Sequence, residues 1–189
     1  MPLDQKDFQV MPQEPSRQHG FTLMELMVTL SVASVLAFIA IPSFTEIISN
    51  NRVTAQVNQF VSTLNFMRSE AVKQGVRISM CKTSDGMTCV ADGAGSDWTQ
   101  GWIVFTNQNN NKVYNGGDEI ILKVQEAIKG ELTITGNTNV DDIISYLPGG
   151  QVQNSGAITV CDDRRVGETG KRIVINSVGR SRIQTFACP

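Results

Sequence analysis

The sequence predicts an α+β fold in which one long N-terminal helix packs on antiparallel β-sheets. Residues 20–41 form an apolar run, and apolar residues then recur at steps of three and four as far as Ala71, which is the spacing of one helix face. After Gly75 the chain changes to short segments rich in β-branched and aromatic residues, separated by glycine, asparagine and aspartate. This change of composition marks the point where the helix ends and the sheets begin.

The first part of the helix is long and apolar enough to cross a bilayer. The run Gly20–Ile41, GFTLMELMVTLSVASVLAFIAI, has about the 20 residues that span a hydrocarbon core of ~30 Å, and it contains one carboxylate, Glu25. A lone carboxylate in such a helix is costly, so it requires a partner or a functional role. We therefore expect a transmembrane helix over residues 21–41, behind a polar leader peptide of residues 1–20.

The helix is expected to continue over residues 42–75 as an amphipathic segment that leaves the bilayer and packs on a sheet. Pro42 lacks a backbone N–H, so it predicts a kink or local unwinding at the start of this segment. Gly75, preceded by Lys73, is typical of a helix end. The apolar positions of the segment are Phe44, Ile47, Ile48, Val57, Phe60, Val61, Leu64, Met67 and Ala71.

Residues 76–189 are predicted to form a globular domain of antiparallel strands joined by tight turns. The candidate strands are Arg77–Cys81, Trp102–Thr106, Glu119–Lys123, Glu131–Thr135, Ile143–Leu147, Ala157–Cys161, Lys171–Asn176 and Ser181–Phe186. The candidate turns are Asp85-Gly86, Asp92-Gly93, Asn115-Gly116-Gly117-Asp118 and Pro148-Gly149-Gly150. With 189 residues in all, the chain has the length of one such domain and an N-terminal extension.

Positive and negative residues nearly balance over the whole chain, but the positive residues are concentrated near its C-terminus. The formal net charge of −2 gives no indication of a nucleic-acid partner. From residue 164 onward, however, only Glu168 opposes a group of cations, and a local basic face of this kind attracts anions. The cations of this group are Arg164, Arg165, Lys171, Arg172, Arg180 and Arg182.

Four cysteines follow the apolar run, on the side of the chain that would be exported, and an even number there favours disulfides. Three pairings can be drawn. We favour Cys81–Cys89 as a local loop clamp together with Cys161–Cys188, which ties the last residues to an earlier strand. Four buried free thiols are the less favoured interpretation in an oxidising compartment. The chain has no C-x-x-C pair and its one histidine lies in the leader, so we predict no metal site and no cofactor.

The boundary between the leader and the apolar run carries a specific motif. The residues GFTLME at positions 20–25 resemble the class III signal peptide of type IV pilins and type II secretion pseudopilins. The resemblance implies that a prepilin peptidase cleaves after Gly20 and that Phe21 becomes the methylated N-terminus. It also implies that Glu25 pairs with the N-terminal amine of a neighbouring subunit. Pairing with its own N-terminus, or an uncompensated position in the interface, are the alternatives, and Thr22 is expected to hydrogen-bond nearby or to its own helical turn.

Segments of the predicted domain narrow the family. A strand ending at Cys81 precedes Gly-Trp-Ile-Val-Phe at residues 101–105, and a hairpin rich in asparagine and glycine leads to residues 119–122. This arrangement resembles the GspH/FimT/FimU group of minor pilins and minor pseudopilins, so the expected fold is type IV pilin-like. The resemblance implies a structural subunit of the bacterial inner membrane, with its C-terminal domain in the periplasm, that later enters a pilus with other pilins. A minor pseudopilin of a type II secretion system is the alternative.

The sequence offers no catalytic group of residues. Asp162, Asp163 and Glu168 lie close together, but no histidine remains after the expected cleavage and no nucleophile is paired with a base. We interpret these carboxylates as part of a solvated loop, and we predict that the protein is not an enzyme.

The last predicted strand begins with a Gly-Arg-Ser-Arg sequence at residues 179–182. Gly179 is suited to a turn, and Arg180 and Arg182 are two residues apart, so on a strand both project to one face. Two guanidinium groups on one face can bind successive phosphates. The pattern resembles the C-terminal DNA-binding motif of FimT-type pilins used in natural transformation. The nearby cations that would extend this patch are Lys171 and Arg172. Ordinary ion pairs to Asp162 or Asp163 are the alternative.

Overall fold

The computed structural model describes residues 20–90, 97–111, 113–163 and 169–188. Helix α1 spans Leu23–Gln74, and the chain divides into two compact units, of which the first ends at Phe44 and the second begins at Thr45. The predicted leader, apart from Gly20, lies outside the described residues, as do the turn at Asp92-Gly93 and the cations Arg164 and Arg165.

The helix ends where the sequence predicts. Gly75 has a left-handed φ of 68°, and its N–H donates to the carbonyl of Ala71 at 3.1 Å. The predicted unwinding at Pro42 is wrong, because the backbone stays helical through that residue. Proline removes one hydrogen bond, but its fixed φ near −65° is compatible with a helix, so the turn itself can persist. A bend at Pro42 stays a prediction.

The packing face of the helix begins later than the sequence predicts. Ile47 and Ile48 are 52% and 54% exposed, and Phe44 is exposed as well, so these residues extend the uncovered apolar segment and do not pack on a sheet. A spacing of three and four identifies a helix face, but it does not distinguish a face that meets protein from one that meets lipid. The buried apolar residues of the packing face are Val53, Val57, Phe60, Leu64, Met67 and Ala71.

All eight predicted strands are present, with ends that differ from the predicted ones by two residues at most. Their bounds are β1 Ile78–Lys82, β2 Trp102–Thr106, β3 Ile121–Gln125, β4 Leu132–Gly136, β5 Ile143–Tyr146, β6 Gly156–Asp162, β7 Thr169–Ile175 and β8 Ser181–Ala187. A short 3₁₀ helix, Trp98–Gln100, precedes β2. The strands form two antiparallel four-stranded sheets, the first in the order β3-β2-β1-β5 and the second in the order β4-β6-β7-β8.

The second unit has one main core, to which the helix and one face of each sheet contribute. Phe60 of the helix is fully buried, and its ring meets those of Trp98 and Trp102 edge-on at centroid distances of 5.6 and 5.2 Å. A smaller cluster around Phe105 covers the other face of the first sheet, where Tyr114 packs on that ring at 5.5 Å. Alternate residues of each strand point to the same face of a sheet. That face is buried against the helix or the other sheet, which accounts for the α+β fold that the sequence predicts.

Candidate functional site

The amino end of α1 is capped by the residues of the motif. The hydroxyl oxygen of Thr22 accepts a hydrogen bond from the backbone N–H of Glu25 at 3.2 Å, and the Thr22 carbonyl accepts from the N–H of Leu26 at 3.1 Å. This is the geometry of a helix N-cap, and glutamate three residues later is typical of a capping box. Thr22 therefore has a structural role at the first turn, and Glu25 lies where the helix dipole favours negative charge.

The apolar segment of α1 has the length of a membrane-spanning helix, and its few hydroxyl groups form hydrogen bonds within the helix. From Gly20 to Ile41 every side chain is exposed, and Phe21 is 80% exposed. The hydroxyls of Thr29, Ser31 and Ser34 donate to backbone carbonyls of the preceding turn at 2.7–2.9 Å. Because hydrocarbon offers no hydrogen-bond partners, such internal bonds satisfy groups that would otherwise be costly. One helix of the described chain is long and apolar enough to cross a membrane.

The structure pairs the cysteines as the sequence analysis favours, with Cys81 bonded to Cys89 and Cys161 bonded to Cys188. The loop closed by the first pair is organised around Asp85, whose carboxylate accepts from the N–H groups of Met87 and Thr88 at 2.8 Å each. These bonds, first of all the one from Met87, hold the pKa of Asp85 well below its usual range. The loop is therefore a fixed element of the surface.

The second disulfide crosses β7 near the first residues of that strand, because it joins Cys161 of β6 to Cys188, which follows β8. Gly170 lies on β7 between the two cysteines, opposite Phe186 of β8. A Cβ atom on Gly170 would lie 2.4 Å from the sulfur of Cys188 and 3.0 Å from that of Cys161. Only glycine leaves room for this bridge, and because the requirement depends on the register of three strands, no local sequence pattern predicts it.

The turn that precedes Arg180 is fixed by close packing. Gly179 has a φ of 77°, and a Cβ there would lie 2.3 Å from the carbonyl oxygen of Gly150. The hydroxyl of Tyr146 donates to the Gly179 carbonyl at 3.1 Å. Burial raises the pKa of Tyr146 to about 12, so this hydroxyl stays protonated and remains a donor at physiological pH. The turn predicted at Gly179 is thus held by two elements that the sequence analysis did not connect with it.

Alternate residues of β4, β6, β7 and β8 project away from the main core, and we call this set the outer face of the second sheet. Its members are Thr133, Thr135, Ala157, Thr159, Cys161, Gly170, Arg172, Val174, Arg182, Gln184 and Phe186. None of these described positions is a carboxylate. Arg180 precedes β8 by one residue, so the same alternation assigns it to this side, and both Arg180 and Arg182 are exposed.

Arg172 lies in the middle of the outer face and is held by two neighbours. Its guanidinium carbon is 3.5 Å from the ring centroid of Phe186, and its Nε donates to the hydroxyl of Thr159 at 3.4 Å. Arg182 has a different neighbour. With the side-chain amide of Gln184 in the orientation that satisfies both of its ends, the oxygen accepts from Arg182 at 2.6 Å.

The structure separates the two adjacent cations of β7. Lys171 pairs with Val160, which is fully buried on the core side, whereas Arg172 pairs with Thr159 and Gln184. Because neighbouring strand residues point to opposite faces, Lys171 does not share a face with Arg182. The predicted extension of the basic patch is therefore wrong for Lys171, and of the two cations only Arg172 lies on the outer face.

A family model for the type II transport protein GspH matches residues 56–179, which is more than half of the chain. The chain belongs to the GspH family. A second model, for the prokaryotic N-terminal methylation motif, matches residues 15–41 and confirms the resemblance around Gly20.

The GspH-family chain also resembles individual pilins. A fimbrial protein of Pseudomonas aeruginosa is 38% identical over 61 residues, which are 32% of this chain and only 39% of that protein. The crystal structure of the type IV minor pilin FimU of Pseudomonas aeruginosa has a TM-score of 0.54 at 20% identity, over 75% of this chain and 92% of FimU. The minor pseudopilin EpsH from the type 2 secretion system of Vibrio cholerae has a TM-score of 0.46 at 10% identity, over 72% of this chain and 97% of EpsH.

These comparisons confirm the predicted fold class and the predicted family. The chain is a member of the GspH family with a type IV pilin-like fold, and the proteins that it resembles are named as a fimbrial protein and a type IV minor pilin. At 20% identity the likeness to FimU shows the fold, so the role of the chain in a pilus or a secretion system is a matter for proposal.

Proposed function

We propose that the chain is a minor pilin of a type IV pilus. In this proposal a prepilin peptidase cleaves it after Gly20, Phe21 is methylated, and α1 anchors it in the inner membrane with the second unit in the periplasm. The observation that carries the proposal is the amino end of the helix. There the methylation motif coincides with a capped first turn and leads directly into an uncovered apolar helix.

Processing gives the first test. We expect mass spectrometry of the protein extracted from membranes to find a chain that begins with N-methylated Phe21. Substitution Gly20→Val should block cleavage, because its branched side chain crowds the bond to be cut, whereas the nearby Ser16→Ala should be cleaved normally. An intact Met1 terminus in cells with active prepilin peptidase would contradict the proposal.

Glu25 is proposed to neutralise the N-terminal amine of a neighbouring subunit within the filament. A carboxylate near the middle of a spanning helix costs about 2.5–3.5 kcal/mol, and less near its end, so an unpaired Glu25 would oppose burial in an assembled filament. We expect Glu25→Ala to insert into the membrane normally but to be depleted from pili sheared from the cell surface. The exposed Glu46→Ala is the matched control. Equal recovery of Glu25→Ala and wild-type protein in pili would exclude the pairing.

The same pilus fraction distinguishes the two roles open to the family. A minor pilin should be recovered with surface pili, and its deletion should reduce them. A minor pseudopilin should leave pili unchanged, and its deletion should instead stop export of the substrates of a type II secretion system.

A second candidate function is the binding of DNA through the outer face of the second sheet. It is supported by the exposed cations Arg180 and Arg182, by Arg172 on the same face and by the absence of carboxylates from the described outer-face positions. Among the described residues neither Arg180 nor Arg182 takes part in an ion pair. Their charges are therefore available to phosphates.

The salt dependence of binding tests this second function. The full chain in a non-ionic detergent should bind duplex DNA without sequence preference, and log K should fall by about 0.9 per phosphate neutralised for each log unit of salt. Arg180→Ala and Arg182→Ala should each weaken binding. Each should also make the dependence of log K on log salt less steep, by about the contribution of one phosphate contact. Lys129→Ala, which changes a cation outside the outer face, is the control. Equal affinities of the folded double variant and the wild type would remove both arginines from the site.

A further inference from the structure

We infer that the outer face of the second sheet prefers a single DNA strand, of which one unpaired base stacks on the Arg172–Phe186 pair. The inference rests on the DNA-binding function proposed above, and it specifies the form of nucleic acid that the site accepts.

The Arg172–Phe186 pair is a preorganised stacking surface. The guanidinium carbon lies 3.5 Å from the centroid of the Phe186 ring, and the Nε of the same group donates to the hydroxyl of Thr159 on β6. Both side chains are half-buried, so they are held against the sheet yet keep surface exposed to solvent. Unpaired bases stack on guanidinium planes as well as on aromatic rings, whatever their identity.

The cations around this pair lie at distances that suit a nucleic-acid backbone. Arg172 faces Gln184 and Arg182 faces Val174, so the two arginines are diagonal neighbours across β7 and β8. Residues in this relation are about 7–8 Å apart, and their Cβ atoms are somewhat closer. A strand that crosses the sheet can therefore place a phosphate at Arg182 and a base at Arg172, with Arg180 close to the next phosphate.

A duplex cannot use the stacking surface without cost. Its bases are paired and stacked inside the helix, so it would reach the outer face with phosphates alone, and exposing a base requires unpairing and unstacking. The charge of the face attracts both forms of DNA, but the stack adds affinity only for the single strand. The absence of carboxylates from the described outer-face positions leaves nothing there to repel the backbone.

The experiment compares a labelled single-stranded oligonucleotide with its own duplex, by fluorescence anisotropy on the full chain in non-ionic detergent. We expect the single strand to bind at least about fivefold more tightly, which corresponds to one stacked base. Phe186→Leu should remove most of this advantage and leave duplex affinity nearly unchanged, and Arg172→Lys should lower the ratio of single-strand to duplex affinity by a similar factor. Arg172→Lys keeps the charge but lacks the plane, and Thr185→Ser, on the opposite face of β8, is the control.

Each other outcome separates the two proposals. Equal binding of single strand and duplex by the wild type overturns the preference but leaves DNA binding in place, whereas no binding of either form overturns both. If folded Phe186→Leu loses affinity for the single strand and for the duplex to the same extent, the ring only positions Arg172. That result would overturn the proposed stacking of a base. Competition by polyphosphate, which has no bases, as strong as competition by the oligonucleotide would overturn it as well. Thermal melts confirm that each variant is folded.

Discussion

Replacing Phe60 by alanine is expected to lower the free energy of unfolding of the second unit by about 3–5 kcal/mol, the usual cost of removing a buried aromatic ring. Phe60 is fully buried and joins α1 to both tryptophans of the chain. Trp98 belongs to the 3₁₀ helix and Trp102 to a central strand, and both are fully buried. Because these large rings are fixed by their own elements, they cannot close the cavity that alanine leaves.

Tryptophan fluorescence of the full chain in detergent can follow this change during urea or thermal unfolding. The melting temperature should fall by roughly 10 °C, since 1 kcal/mol corresponds to about 2–4 °C for a domain of this size. Val72→Ala on the same helix is the matched control, because Val72 is 57% exposed and should change stability by less than about 0.5 kcal/mol. A loss under about 1 kcal/mol for Phe60→Ala would show that the helix does not pack on the sheets through this ring.

The fold could be predicted from the sequence because its signals are local. A long helical period that ends at Gly75, and short β-rich segments between turn residues, identify the helix and the strands without knowledge of any contact. The error at Ile47 and Ile48 has a physical origin. An apolar residue has the same hydrophobicity whether it meets lipid, another subunit or its own core, so the start of the packing face depends on where the sheets lie.

The candidate DNA site could be predicted only in part, for a similar reason. Arg180 and Arg182 are two residues apart in one strand region, so their common side follows from the alternation of strand side chains. The contact of Arg172 with Phe186 depends on the register of β7 and β8, which no local pattern gives. The prediction for Lys171 is wrong because Lys171 and Arg172 are adjacent in β7, and adjacent strand residues point to opposite faces of the sheet.

Loss of the Cys161–Cys188 disulfide is expected to cost more than loss of the other bridge. The two bonds close sequence separations of 27 and 8 residues. In the chain-entropy model their contributions are about 3–4 and about 2–3 kcal/mol. The double variants Cys161→Ala/Cys188→Ala and Cys81→Ala/Cys89→Ala can be compared by urea unfolding of the full chain. A larger loss for the short loop would contradict this order.

Gly170 makes the second bridge testable without changing a cysteine. In Gly170→Ala the new Cβ would overlap the sulfur of Cys188 and would lie 2.5 Å from the carbonyl oxygen of Val160, so the bridge or the strand must shift. We expect incomplete formation of Cys161–Cys188, measured by non-reducing peptide mapping, together with lower stability.

In the Cys161→Ala/Cys188→Ala background the sulfur atoms are absent, so the same substitution at Gly170 should cost less. The close contact of the new Cβ with the Val160 carbonyl remains in that background, so Gly170→Ala should still lower the free energy of unfolding there, but by less. The difference between the two backgrounds is a coupling energy, which is expected to be at least about 0.5 kcal/mol for groups in direct contact. If the losses of unfolding free energy from Gly170→Ala and from the cysteine substitutions simply add, glycine is required only because of its close contact with the backbone of β6. A positive coupling would show that this glycine is required because the bridge crosses β7 at that residue, and that the bridge holds the end of the strand that carries Arg182 and Phe186.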